Sequence, residues 1–167
     1  MIKIAEQDGS PVQAGRAVMR EMLLRRAART LFDGEEPIEE LVSSCGGHPR
    51  ELLRLLKLCC EFSDGATITA SVVERAIGAL AAEYRRFLEP EDYEHLVKID
   101  LSPVHTGNDE RTRKLLYNLA LLEYNDGAWR HSHPVVARLE GYRAARERCE
   151  EEARQRREAP AAGHGQG

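Results

Sequence analysis

The sequence predicts a mainly α-helical protein: a helical bundle followed by a second helical unit that carries one β-hairpin. Three observations point there. Leu, Ala, Arg and Glu dominate, charged residues reach 31% and aromatic residues only 5%, a balance that favours helix over an aromatic-rich sandwich. Apolar residues recur at helical spacing through most of the chain. A single Asn125-Asp126-Gly127 turn separates two short runs with strand character, the pattern of a hairpin.

The first residues hold a short strand at Ile2 to Ile4 and an irregular stretch around Asp8-Gly9-Ser10-Pro11. A first helix is expected from Gly15 to Phe32, with Val18, Met22, Leu23, Ala27 and Leu31 as its inward stripe and Asp33-Gly34 as its end. A short helix runs from Pro37 to Ser44, and Gly46-Gly47 breaks the chain. Pro49 suits a helix start, where its missing N–H costs nothing. The helix it opens, through Phe62, is apolar nearly all round (Leu52, Leu53, Leu55, Leu56, Cys59, Cys60) and should be central. After the Ser63-Asp64-Gly65 turn, Thr67 to Thr69 is extended, and Thr69 or Ser71 caps a helix to about Phe87.

Pro90 begins the next helix, with Tyr93, Leu96 and Val97 inward, and residues 101–108 are read as a loop. Asp109 caps a helix bearing Leu115, Leu116, Leu119 and Ala120. Leu121 to Tyr124 and Ala128 to Ser132 are the two strands, with Trp129 and His131 on one face. Pro134 opens a helix that carries Val135, Val136, Leu139 and Tyr142. From Arg143 to Glu158 almost every residue is charged or Ala, a solvated extension supported by Glu150/Arg154 and Glu152/Arg156 at i,i+4; it lacks the apolar a and d positions of a coiled coil. Residues 159–167 read as a disordered tail. The expected organisation is 1–88 for the bundle, 89–146 for the hairpin-bearing unit and 147–167 for the charged extension and tail.

Net charge is -4, so no global basic field marks the chain for nucleic acid. Its four cysteines, Cys45, Cys59, Cys60 and Cys149, form no C-x-x-C pair and read as reduced thiols of a cytoplasmic protein. Residues 1–10 lack the apolar core of a signal peptide, and no run approaches the roughly 20 apolar residues that span a bilayer. No membrane partner is expected.

The segment Ser44-Cys45-Gly46-Gly47-His48-Pro49-Arg50 is the most specific motif. The glycines allow a tight turn, Pro49 sets the helix start, and Arg50 projects from its first turn. A guanidinium is always charged and grips two phosphate oxygens at once, so Arg50 is the candidate nucleotide-sensing residue. The competing reading is a glycine turn followed by an exposed arginine. A phosphate loop is missing: Lys3, Lys57, Lys98 and Lys114 are followed by Ile4, Leu58, Ile99 and Leu115, where the loop needs Ser or Thr. No catalytic residue is assigned, and the chain is not expected to hydrolyse ATP alone.

The helix, strand, turn and strand after Asp109 have the layout of a winged helix, whose helix enters the major groove and whose wing touches phosphates. Arg111, Arg113, Lys114 and Arg130 are the candidate contacts to DNA or a partner. The wing is poor in Lys and Arg and its turn carries Asp126, so packing against protein is the favoured use. His131-x-His133 and Cys45 invite a metal, but a zinc site needs about four converging ligands. The histidines are read as core or hydrogen-bonding groups and no metal is assigned. Cys45 precedes a helix N-terminus, which can lower a thiol pKa.

Ser44 to Leu56, with Ile68-Thr69 leading into Val72-Val73-Glu74-Arg75-Ala76-Ile77, resembles the helical lid of bacterial AAA+ or STAND-type P-loop ATPases. Leu115 to Asn125, Trp129 and His133-Pro134-Val135-Val136 are similar to the winged-helix segment that follows that lid. The resemblance covers roughly residues 1–142; Cys45 stands where the family often has Gly. It implies a lid-like bundle and a winged-helix-like unit without the nucleotide-binding core. It also implies that Arg50 matches the lid arginine that contacts nucleotide, and that ATP and Mg²⁺ bind only where a core is supplied. The expected function is a non-catalytic C-terminal module coupling nucleotide state to a protein partner; the alternative is a winged-helix DNA-binding regulator.

Overall fold

The computed structural model describes residues 1–102 and 107–158. Helix α1 (Gln13–Leu24) buries Met19 and Leu23 against α2 (Glu36–Ser44) and α3 (Pro49–Ser63). Pro37 lies in the first turn of α2 and Pro49 in that of α3. Helix α4 (Ala70–Phe87) starts at Thr69, whose hydroxyl accepts from Val72 N at 3.4 Å, and packs along α3.

Helix α5 (Pro90–Leu101) opens with a reciprocal capping box between Glu89 and Asp92. Helix α6 (Glu110–Tyr117) is capped by Asp109, which accepts from Thr112 N at 2.7 Å. Strands β1 (Leu121–Tyr124) and β2 (Trp129–Ser132) pair antiparallel, with Leu121 opposite Ser132 and Tyr124 opposite Trp129. The turn between them places Asn125, Asp126 and Gly127 at positive φ. Helix α7 (Pro134–Ala137) is one turn long, and α8 (Glu140–Glu158) lies along α5.

Among the described residues the fold is therefore mainly helical with one two-stranded hairpin. One hydrophobic cluster runs from Ile4 through Leu52, Leu80 and Leu115 to Ala145, and is continuous across residue 88. Leu122, Tyr124 and Trp129 form a satellite beneath the hairpin. Among the described residues no helix is long and apolar enough to cross a membrane.

Five readings are corrected. Ile2 to Ile4 do not form the expected strand: the segment is held by the isolated Ala5–Pro11 bridge and by bonds from Ile2 N to Gly47 O and from Val12 N to Ile4 O. The first helix stops at Leu24 rather than Phe32, because Phe32 bridges to Ile68 and Leu31 O accepts from Ile68 N at 2.7 Å; that pairing draws residues 29–33 out of the helix. Its inward face is therefore centred on Met19 and Leu23, and Val18 (49%) and Leu31 (43%) are exposed. The helix opened by Pro134 breaks after Ala137, since α7 packs on α2 and α4 whereas α8 follows α5. Cys60 is exposed although it continues the apolar run of α3, while Cys59 is buried.

In α8, Glu152 pairs with Arg156 as expected, but Glu150 pairs with Arg146 and Arg154 with Glu151. Part of the loop expected at 101–108 and the tail at 159–167 lie outside the described residues.

Candidate functional site

Gly46 and Gly47 sit at φ 60 and 72, the left-handed region that a side chain makes costly. Space is also lacking. A Cβ on Gly46 would overlap Leu122 and stand 3.0 Å from Pro134 Cδ, and one on Gly47 would overlap the Ile2 carbonyl oxygen. Tyr124 Oη donates to Gly46 O at 2.8 Å and Ile2 N to Gly47 O at 3.0 Å. The N-terminal segment, the hairpin and α7 thus converge on one turn, and that turn fixes where α3 begins.

Arg50 lies in the first turn of α3, exposed, with no hydrogen bond or ion pair to any described residue. One turn on, Arg54 is committed: it pairs with Glu83 and lies 3.6 Å from Glu51. Glu51 is only 1% exposed and accepts a hydrogen bond from Tyr84 Oη at 3.2 Å. Leu119 O is the other acceptor in reach of that hydroxyl, at 3.3 Å. Burial, and then the Glu51 carboxylate, push the Tyr84 hydroxyl far above the usual phenol range, so it remains a hydrogen-bond donor. These groups floor a cleft of about 400 Å³ whose rim holds Arg50, Phe87 and Tyr117. Tyr117 is 86% exposed. Leu119 closes α6 at φ 58, a left-handed position usually taken by Gly or Asn and costing about 1–2 kcal/mol.

The metal and thiol candidates fall apart in space. His133 is fully buried; its Nδ1 accepts from Val135 N at 3.2 Å and its ring lies against Tyr84. Burial lowers its pKa to about 3, so the ring is neutral. His131 is half-buried and faces Asp100 at 3.7 Å. Among the described residues no group of three His, Cys, Asp or Glu could hold a metal. The Cys45 thiol donates to Val42 O at 3.1 Å, and burial raises its pKa to about 11, the opposite of the lowering expected at a helix N-terminus.

The winged-helix candidates occupy three settings. Arg111 and Lys114 reach Asp92 at 2.8 and 3.3 Å and balance a carboxylate that is 1% exposed. Arg130 is itself buried, held by Glu123 and Gly107 O, both at 2.8 Å. Arg113 is exposed and has no described partner.

Sequence reasoning put Arg50 in the first turn of its helix, as found, but did not single out Glu51, Arg54, Tyr84 and Tyr117, which line the same cleft. The one local signal was a Glu and an Arg at i,i+3 inside an apolar helix, the spacing of a helix-surface pair. No family model, curated protein or solved structure matches the chain.

Proposed function

We propose that this chain is a non-catalytic module of an AAA+ or STAND-type P-loop ATPase, acting in the cytoplasm to couple nucleotide state to a partner. The ATPase core supplies ATP and Mg²⁺, and Arg50 reaches a phosphate held on it. The observation that carries the reading is the contrast between two arginines one turn apart. Arg54 is bound to two carboxylates, while Arg50 is exposed, uncommitted and mounted beside a turn anchored by three elements. The backbone that carries Arg50 is already anchored, so only its side chain has to be ordered when the guanidinium meets a phosphate. The DNA-binding alternative has weaker support, since Arg111, Lys114 and Arg130 are committed to protein carboxylates.

The test uses the full chain as bait in native lysate, with ATPγS or ADP added. The expected result is retention of a P-loop ATPase with ATPγS and not with ADP, abolished by Arg50→Ala and partly kept by Arg50→Lys. Retention that is indifferent to nucleotide, or to Arg50→Ala, overturns the reading.

A further inference from the structure

A second cavity, of about 240 Å³, lies between the N-terminal segment and the hairpin. Ile4, Ala5 and Pro11 form one wall, and Tyr124, Trp129 and Pro134 the other. The aromatic wall is pre-organised. Tyr124 and Trp129 face each other across the hairpin with centroids 4.2 Å apart and planes 13° from parallel, and Tyr124 is fixed by its bond to Gly46 O. Trp129 is 7% exposed and lines the cavity.

The polar end of the cavity carries a cation. Arg16 uses a single terminal nitrogen for Glu39 at 2.8 Å and Ser43 at 3.0 Å, which leaves its Nε and other terminal nitrogen uncommitted. Its carboxylate is shared: Glu39 also lies 3.6 Å from Arg20, and Glu35 serves both Arg20 and Arg29. Two carboxylates therefore face three guanidiniums. Glu6, on the rim, is neutralised by Lys3 at 2.6 Å.

Residues 5–11 are closed on themselves by the Ala5–Pro11 bridge and by Glu6 N to Ser10 O at 2.8 Å, and residues 6–11 are exposed. The volume is below the range of about 300–1,000 Å³ that houses drug-sized ligands, so the occupant is smaller than those.

We propose that this cavity binds a small aryl carboxylate, its ring between the Tyr124–Trp129 wall and Ile4 and Pro11, and its carboxylate on Arg16. The cavity shares no lining residue with the cleft at Arg50.

Trp129 is the only tryptophan, so its emission reports the site directly. The full chain is titrated with phenylacetate and, separately, with the uncharged phenylacetamide, by Trp129 fluorescence and calorimetry. A saturable response to phenylacetate with Kd on the order of 0.1–1 mM is expected, as befits so small a ligand. Phenylacetamide should bind about tenfold more weakly, because it lacks the charge-assisted bonds to the guanidinium. Arg16→Gln should bring the acid down to the level of the amide and leave the amide unchanged. Ala5→Phe, which fills the cavity, should abolish both while the circular dichroism spectrum is retained; if that variant does not fold, the Arg16→Gln comparison decides alone. The proposal is overturned by no saturable response, by equal affinity for acid and amide in the parent chain, or by undiminished binding in a folded Ala5→Phe protein.

Discussion

Gly47→Ala tests the idea that the turn before α3 is fixed by packing rather than by loop flexibility. Three costs add. A side chain at φ 72 costs about 1 kcal/mol. Its Cβ overlaps the Ile2 carbonyl, which is backbone and cannot rotate away, so the N-terminal segment must lift. That breaks the 3.0 Å bond from Ile2 N to Gly47 O, worth about 1 kcal/mol. It also uncovers Ile4, now 4% exposed, at about 1.5–3 kcal/mol. The sum is about 3–5 kcal/mol, from a total of about 5–15 kcal/mol for a domain. Gly34→Ala is the control: its φ is 94 and nothing lies within 4 Å of a Cβ there, so only the conformational cost of about 1 kcal/mol applies. Urea unfolding followed by far-UV circular dichroism measures both. Hydrogen exchange at Val12, whose N–H is bonded to Ile4 O at 2.9 Å, reports the segment itself. Equal destabilisation by the two substitutions, or unchanged protection at Val12 in Gly47→Ala, would refute the argument.

Four further outcomes are expected. Removing Arg111 and Lys114 together as alanines leaves Asp92 buried without a counter-charge and should cost about 3–5 kcal/mol; Asp92→Asn leaves two half-exposed cations that water can serve and should cost clearly less in the same urea assay. Tyr84→Phe removes one donor from buried Glu51 and should cost about 1–3 kcal/mol while leaving the spectrum unchanged. His133 takes up a proton in the unfolded chain below its ordinary value of 6.5 but in the fold only near 3. Stability should therefore fall as pH drops through that window, by up to about 1.4 kcal/mol per pH unit from this residue; His133→Asn should flatten the curve, and an unchanged slope would count against it. Toward a thiol reagent at neutral pH, exposed Cys60 should react first. Cys45 and Cys59, buried and raised to about 11 and about 12, should react only on unfolding, as time-resolved labelling with mass spectrometry would show.

Caps and breaks were legible wherever the information is local. Thr69 and Asp109 cap the helices they precede, and Asn125-Asp126-Gly127 turns the hairpin, because each acts within a few residues. The end of α1 was not legible: it depends on Phe32 meeting Ile68, a partner on the far side of two helices. The same division runs through the site. Arg50 could be placed from Gly-Gly-x-Pro alone. The groups that set its surroundings come together over 29 residues for Arg54 with Glu83 and 33 for Tyr84 with Glu51, and periodicity carries no sign of them. Arg111 and Lys114 read as free surface cations because the carboxylate they serve, Asp92, looks in sequence like one more first-turn acid.

The turn at Gly46-Gly47 has a place in time as well as in space. Its bond to Tyr124 joins residues 78 apart, so a chain emerging from the ribosome can wind α1 to α4 long before the turn receives its last anchor. Contacts of such long range close late, after the loop entropy has been met by earlier ones. Substitutions at Tyr124 should therefore speed unfolding while leaving the folding rate nearly unchanged. The direction in which Arg50 points is then among the last features of the molecule to be settled, fixed only when the hairpin docks.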